Sequence, residues 1–170
     1  QIVYKLIAYF LKDEPTCFQY GINLKKGILL TGPIGCGKTS LMNLMKYLTA
    51  TEHKFFVKPC RDISFEFIQD GYQIIHKYSN GKLYQSEPRT YCFDDLGTEN
   101  NLKYFGNECN VMAEILLSRY DLFISKKLLT HITTNLSATE IEKHYGNRVR
   151  SRLREMVNLI AYDKSTPDKR

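Results

Sequence analysis

The sequence lacks any long run of apolar residues. Within its 170 residues, apolar stretches such as 27–30 and 115–117 are far shorter than the roughly 20 residues that span a bilayer. The apolar start, residues 1–11, contains Lys5 and no small-residue cleavage site, so a secretory signal is not predicted. We therefore expect a cytoplasmic protein that does not bind membranes.

Cysteine and histidine are too scattered for a zinc site or a disulfide framework. None of the five cysteines (positions 17, 36, 60, 92 and 109) pairs with another in a C-x-x-C motif, and their number is odd. The four histidines, at positions 53, 76, 131 and 144, show no metal-ligand spacing. We expect free thiols in a reducing compartment.

Repeats, low-complexity segments and linker-like stretches are also missing, which favours a single domain. The hydrophobic share of 43% and the charged share of 25% are those of a folded globular protein. Lys and Arg number 24 against 18 Asp and Glu, a net charge of +6. This moderate positive excess permits contact with nucleic acid without demonstrating it.

Short apolar stretches alternate with helical patterns along the chain. Strands are predicted at residues 27–31, 54–58, 90–93, 128–134 and 157–162. Helices are predicted at residues 2–11, 39–48, 63–78, 106–125, 137–145 and 147–155, a loop at 79–89 and a frayed polar tail at 163–170. This alternation is typical of an α/β fold with a mainly parallel sheet and helices on both faces.

The stretch 32–39 reads Gly-Pro-Ile-Gly-Cys-Gly-Lys-Thr, the phosphate-loop pattern G-x-x-x-x-G-K-[ST], between an apolar strand and an amphipathic helix. Glycines let backbone N–H groups wrap a polyphosphate, and the helix N-terminus adds a positive dipole end. Lys38 is predicted to reach the β- and γ-phosphates, and Thr39 to ligate Mg²⁺. The predicted nucleotide-binding residues are Gly32, Pro33, Ile34, Gly35, Cys36, Gly37, Lys38, Thr39 and Ser40.

Two carboxylates close the apolar strand that begins near residue 90. They are Asp94 and Asp95, and Glu99 follows shortly after. In a parallel sheet, the strand ends beside the phosphate loop form the ligand crevice. We expect Asp94 to hold Mg²⁺ and Asp95 to polarise the attacking water, with Glu99 as the alternative for that second role.

The strand at 128–134 ends at Asn135, whose amide could bond the γ-phosphate or the lytic water. Such a residue could instead cap the next helix. Ser137, with Glu140 three positions on, forms a capping-box pattern and can fill that position. The pattern therefore leaves Asn135 free for the nucleotide.

Four arginines follow on a predicted helix. Arg148 and Arg152 share one flank, and Arg150 and Arg154 share the other. Three interpretations remain open: a solvated basic helix, an arginine finger for the nucleotide of a neighbouring subunit, and contact with a nucleic-acid backbone.

Taken together, the motifs at 27–39, 93–99, 133–137 and 145–156 resemble the DnaC/IstB branch of AAA+ ATPases. That branch contains replicative helicase loaders and transposition helpers and is similar to the initiator DnaA. The resemblance covers roughly residues 22–160 and implies a five-stranded sheet of order 5-1-4-3-2. It matches this chain's residues to family roles as follows: Lys38 and Thr39 to Walker A, Asp94 and Asp95 to Walker B, Asn135 to sensor 1, Arg152 to the arginine finger and Arg148 to a second candidate for it.

The resemblance also implies a function: an ATPase that uses ATP and Mg²⁺, assembles as a homo-oligomer through nucleotide at subunit interfaces, and acts on single-stranded DNA and a replicative helicase. The implied domains are an N-terminal helix and linker (1–21), an ATPase core (22–163) and a polar tail (164–170). Asp-Asp at Walker B, where many relatives have Asp-Glu, implies slow hydrolysis. Two alternatives are a transposition helper that activates a transposase and a nucleotide-gated DNA-binding module with incidental hydrolysis. A small P-loop kinase would need an acceptor pocket and a mobile lid that carries arginines. It is disfavoured, because the basic residues lie after the Asn135 strand instead.

Overall fold

The computed structural model describes residues 1–79, 87–99, 102–104, 107–163 and 165–168. Its strands are β1 (Gly27–Thr31), β2 (Phe56–Pro59), β3 (Tyr91–Leu96), β4 (Leu102–Tyr104), β5 (Asn107–Cys109), β6 (Thr130–Thr134) and β7 (Val157–Ala161). Five of them form one parallel sheet of order β2-β3-β6-β1-β7. If only the five strands of this sheet are numbered, in chain order, their order is 2-3-4-1-5. This is the predicted order 5-1-4-3-2 read from the opposite edge, so the prediction is confirmed. β4 and β5 form a separate antiparallel pair, which was not predicted.

The helices are α1 (Ile2–Phe10), α2 (Glu14–Gln19), α3 (Lys38–Leu48), α4 (Cys60–Asp70), α5 (Gln73–Ser79), α6 (Val111–Lys126) and α7 (Ala138–Met156). They cover both faces of the sheet, as predicted. Core residues of α1 to α3 pack on one face, and those of α4 to α7 pack on the other. No helix among the described residues combines the length and apolarity needed to cross a membrane.

β1 shows why the strands read as continuous apolar runs. Neighbouring side chains of a strand point to opposite faces. Ile28 and Leu30 are buried against α1 and α3, while Leu29 is buried against the helices of the other face. Because both faces are covered, every position of the strand centre is apolar.

Two predicted helix boundaries are wrong, and one short helix was not predicted. The helix predicted at 63–78 is two helices, because Gly71 adopts φ +59°, which ends α4. The helix predicted at 106–125 begins only at Val111, after Asn110 accepts a hydrogen bond from the Ala113 N–H at 3.0 Å as its cap. Asp13 caps the helix that was not predicted, α2: its side chain accepts a hydrogen bond from the Thr16 N–H at 3.1 Å.

The predicted loop at 79–89 lies largely outside the described residues, and residue 79 belongs to α5. The predicted break at Gly146 is confirmed: its φ of +85° and ψ of 161° are not helical, and they divide α7 in two. The first half carries the predicted capping box of Ser137 and Glu140. The second half, residues 147–156, carries the four arginines and is called the arginine segment below.

Candidate functional site

The phosphate loop connects β1 to α3 at the carboxyl edge of the sheet. Gly37 precedes α3 with φ +91°, and Gly35 has φ +76°, two left-handed conformations that glycine adopts without strain. The residue that precedes α3, Gly37, has no side chain with which to cap the first N–H groups of this helix. A helix start of this kind is suited to bind an anion.

The tail returns to the same loop. A Cβ atom at Gly35 would lie 1.9 Å from Asp168 Oδ1, so the Asp168 carboxylate packs against the backbone there. The frayed tail at 163–170 stays a prediction, and residues 164, 169 and 170 lie outside the described ones.

Lys38 is buried, with 5% of its surface exposed. Its Nζ donates to the carbonyls of Gly32 (3.0 Å) and Pro33 (2.8 Å) and to Asn135 Oδ1 (2.5 Å). These acceptors are neutral, so the ammonium keeps its full charge without an ion-pair partner among them. A phosphate oxygen would complement this charge better than a carbonyl does.

Thr39 and Asp94, which are 55 positions apart, meet beside that lysine. Thr39 Oγ1 donates to Asp94 Oδ1 at 3.1 Å, and Thr133 Oγ1 donates to the same oxygen at 2.6 Å. Burial raises the pKa of the Asp94 carboxyl above its ordinary value, and these two hydrogen bonds oppose the shift. The site thus gathers a hydroxyl and a carboxylate, the hard oxygen donors that Mg²⁺ prefers.

The donor set also says what kind of magnesium site would fit. Among the described residues, no three or more His, Cys, Asp or Glu side chains come together as a metal cluster. Mg²⁺ commonly binds through one or two protein groups and completes its shell with water and phosphate oxygens. Thr39 and Asp94 fit that pattern.

Asp95 has an unusual backbone. Its φ is +54°, and the β3–β6 pairing shifts register between Phe93 and Leu96. The Asp95 N–H donates to Thr133 Oγ1 at 2.9 Å, and its carbonyl accepts from Thr98 Oγ1 at 2.8 Å. A non-glycine residue held at positive φ is uncommon and is concentrated at functional sites.

Glu99 points elsewhere. Its Oε1 accepts a hydrogen bond from the Tyr145 hydroxyl, and its Oε2 accepts one from the Gly97 N–H at 3.0 Å. None of the described residues donates a side-chain hydrogen bond to the Asp95 carboxylate in this way. Both oxygens of Glu99 are therefore engaged by protein donors, and the choice of Asp95 to polarise a water molecule stays a prediction.

Asn135 lies directly after β6 and contacts Lys38, as given above. Ser137 occupies the helix cap, with its Oγ accepting from the Glu140 N–H at 3.3 Å. The predicted cap at Ser137 is therefore confirmed, and a role of Asn135 towards a nucleotide stays a prediction.

Solved structures of replication proteins share this architecture. The DnaC helicase loader has a TM-score of 0.60 at 20% identity, over 87% of this chain and 85% of that one. DnaI has a TM-score of 0.56 at 21% identity, over 80% and 72%. AMPPCP-bound DnaA from Aquifex aeolicus has a TM-score of 0.61 at 13% identity, over 95% of this chain and 45% of DnaA.

This chain has the AAA+ fold. Searches of protein-family models and of curated proteins returned no match. At these identities, the likeness to the solved structures concerns the fold.

In this AAA+ fold, the arginines of the arginine segment differ in their surroundings. Arg148 is exposed, and the Arg152 guanidinium lies over the Tyr120 ring at 4.8 Å. Arg150 pairs with Glu142. Among the described residues, no hydrogen bond or ion pair joins Arg148 or Arg152 to Lys38 or Asp94.

A cavity of about 700 Å³ lies along β1 and β7, beside the phosphate loop and not on it. Tyr20, Ile22 and Thr31 contribute to its lining, together with apolar residues of β7 and the arginine segment.

Sequence reasoning missed three functional neighbours. Thr133 bonds both aspartates, Thr134 Oγ1 donates to the Leu96 carbonyl at 2.6 Å, and Tyr145 bonds Glu99. Both threonines are fully buried. For the two threonines, the sequence did contain a signal: two successive polar residues end a strand that is buried on both faces.

Proposed function

We propose that this chain is an Mg·ATP-binding ATPase module that oligomerises and loads or remodels a replicative helicase on single-stranded DNA. The observation that carries this proposal is the buried Lys38, held by neutral acceptors next to the Thr39–Asp94 oxygen pair. This arrangement places one positive charge and two hard ligands at the mouth of an uncapped helix. The AAA+ fold, shared with a DnaC helicase loader and an AMPPCP-bound DnaA, supports the choice of ATP and of replication.

Each side chain has a role in this proposal. Lys38 exchanges its carbonyl partners for phosphate oxygens and neutralises part of their charge. Thr39 and Asp94 hold Mg²⁺, which supplies further neutralisation of the phosphates. Asp95 orients and polarises the attacking water, and Asn135, already bonded to Lys38, positions the terminal phosphate. An aspartate reaches less far than a glutamate, which is in accord with slow hydrolysis.

Assembly completes the site. Arg148 and Arg152 do not contact the phosphate loop of their own chain, so we assign them to the nucleotide of a neighbouring subunit. An arginine supplied in this way stabilises the charge of the phosphoryl-transfer transition state. The net charge of +6 supports a contact with the DNA backbone.

The test is the ATPase rate of the full chain as a function of protein concentration, with and without single-stranded DNA. We expect the rate per subunit to rise with concentration and with DNA. Asp95→Asn should retain nucleotide binding and lose about 100-fold or more in turnover, because it removes the water-polarising charge. Failure of calorimetry to detect uptake of an ATP analogue with Mg²⁺ would refute the proposal.

The trans role of the arginine has its own control. Arg152→Ala should bind nucleotide normally as a monomer and lose about 100-fold or more of the concentration-dependent turnover. Arg154→Ala removes an exposed arginine from the other flank of the same segment and should remain close to wild type. An Arg152→Ala protein with the wild-type rate at every concentration contradicts the assignment.

A further inference from the structure

A side-chain contact joins the two parts of the proposed ATPase that act on different nucleotides. The turn of residues 95–99 carries Asp95, which faces the chain's own nucleotide. The arginine segment carries Arg148 and Arg152, which face the nucleotide of a neighbour. Tyr145 and Glu99 connect them: the Tyr145 hydroxyl donates to Glu99 Oε1.

The contact is buried and well held on both sides. Tyr145 is 8% exposed, and the second oxygen of Glu99 accepts from the Gly97 N–H at 3.0 Å. Burial raises the pKa of the Tyr145 hydroxyl far above its ordinary value, and the nearby Glu99 charge adds to the shift. Tyr145 therefore remains a proton donor at neutral pH, and a hydrogen bond to an ionised acceptor is among the stronger kinds.

On the Asp95 side, the turn is compact. Both the N–H and the hydroxyl of Thr98 donate to the Asp95 carbonyl, at 3.2 and 2.8 Å. A Cβ at Gly97 would lie 2.6 Å from the Leu136 side chain, so the turn also packs against the segment that follows Asn135. Asp95 and Glu99 are thus linked through a short hydrogen-bonded turn.

On the arginine side, the anchor lies next to a break. Tyr145 is the last residue before Gly146, whose φ of +85° and ψ of 161° interrupt α7. The direction of the arginine segment depends on this break, because the backbone at Gly146 is not helical. Tyr145 therefore lies at the end of the first half of α7, where the hydrogen bond to Glu99 holds it.

We propose that Tyr145 is a positioning residue that couples the two nucleotide sites of the assembly. Through Glu99, it makes the placement of Arg148 and Arg152 depend on whether nucleotide is engaged by Asp95 in the same subunit. A subunit with bound ATP thus presents its arginines to its neighbour, and an empty subunit does not. This inference rests on the proposed function and adds a route by which adjacent sites communicate.

The test compares Tyr145→Phe with a matched substitution. Tyr78→Phe also removes a buried hydroxyl that bonds a carboxylate, that of Glu66 at 2.9 Å, at the opposite edge of the sheet. Both variants should bind an ATP analogue as the wild type does. Tyr145→Phe should need about fivefold more protein to reach half-maximal turnover, since coupling between sites commonly amounts to fivefold or more. Tyr78→Phe should need no more than the wild type, whatever its stability.

A second readout does not require hydrolysis. In the wild type, adding the ATP analogue should slow hydrogen exchange of the backbone amides of residues 147–156 by about threefold, and in Tyr145→Phe this response should disappear. Glu99→Ala should behave like Tyr145→Phe, and the double variant should lose nothing further, because both substitutions break one contact. Glu99→Gln keeps an acceptor oxygen and should restore part of the response.

The outcomes separate the two proposals. If Tyr145→Phe retains the wild-type exchange response and concentration dependence, the coupling is refuted while the proposed function stands. If the wild type takes up no nucleotide, the proposed function fails and the coupling falls with it. A loss of response in Tyr78→Phe equal to that in Tyr145→Phe would also refute a specific role for Tyr145.

Discussion

Two buried cations lie at opposite edges of the same sheet, and they differ in what surrounds them. Lys38 is at the carboxyl edge, after β1, and Arg119 of α6 is at the amino edge, before β3 and β6. Lys38 is 5% exposed and Arg119 is fully buried. Neither has a carboxylate among its described hydrogen-bond partners.

Arg119 is held by parts of the fold that cannot move independently. Its guanidinium donates to Thr130 Oγ1 at 2.6 Å and to the carbonyls of Tyr78, Arg89 and Leu129 at 2.9 to 3.1 Å. The rings of Tyr91 and Phe93 lie 5.5 Å from it. Burial lowers the pKa of Arg119 to about 10, so the group stays charged at neutral pH.

Lys38 is held by partners that can be replaced. Its acceptors belong to the phosphate loop and to Asn135, and Thr39 and Asp94 lie beside them as potential metal ligands. Burial of a cation is therefore not a sign of function by itself. The distinction lies in whether a ligand could take the place of its protein partners.

The largest effect on stability should come from the amino edge. Arg119→Met keeps much of the side-chain volume but leaves three carbonyls and a hydroxyl without their donor. Each unsatisfied buried group costs about 1–3 kcal/mol, so the loss of these four bonds should lower the free energy of unfolding by about 4 kcal/mol or more. Urea titration followed by circular dichroism measures it. Arg119→Lys keeps the charge but has fewer donors, so its free energy of unfolding should lie between those of the wild type and Arg119→Met. An unchanged urea midpoint for Arg119→Met would contradict this account.

The carboxyl edge should show the reverse. Lys38→Ala should weaken binding of an ATP analogue by about 100-fold or more, because a charge-assisted contact to phosphate is lost. The free energy of unfolding should change by less than about 1 kcal/mol, since the bonds of Lys38 to Gly32 and Pro33 are partly accessible and water can replace them. Calorimetric titration and urea titration on the same sample separate the two effects. If Lys38→Ala destabilised the fold as Arg119→Met does, the contrast between the edges would be lost.

The same contrast explains what the sequence could predict. The phosphate loop is a local pattern, and the sheet order followed from the family that the motifs resemble. Arg119 falls on the apolar stripe of its predicted helix, so its burial was predictable. Its partners were not, because they are carbonyls supplied by residues 78, 89 and 129, which only the tertiary fold brings together. The Tyr145–Glu99 contact escaped for the same reason, as its members are 46 positions apart.

Local backbone geometry was a second feature that the sequence could not predict. Gly71 lies within an apolar pattern of helical period, and periodicity alone does not reveal that its φ is +59°. Likewise, the positive φ of Asp95 depends on hydrogen bonds from Thr98 and to Thr133, which come from the turn and from the neighbouring strand.

The smallest predicted effect is on the pH dependence of stability, and it concerns His131 of β6. Like Arg119, His131 is buried among protein partners that no ligand would replace. Its Nδ1 accepts from the Ile28 N–H at 3.1 Å, and the Phe55 and Phe10 rings lie 5.0 and 5.3 Å away. Burial lowers the pKa of His131 from 6.5 to about 3, and the positive charges of Lys12 and Arg119 add to the shift. The folded protein therefore keeps this ring neutral where the unfolded chain protonates it.

The sign of the pH dependence follows. The unfolded chain binds the extra proton between pH 6.5 and about 3, so stability is lost as the pH falls through that window. At pH 5 the loss from this one group is about 2 kcal/mol. The carboxylates, among them Glu140, whose pKa is lowered from 4.5 by hydrogen bonds from Ser137, are the same in both proteins compared below, so their contribution cancels. His131→Asn keeps an acceptor for the Ile28 N–H and removes the titrating ring, so its unfolding free energy should vary less over this range, whatever its value at pH 7. If the free energy of unfolding varied equally with pH in the two proteins, His131 would take up its proton in the folded state as it does in the unfolded chain, which would contradict this account.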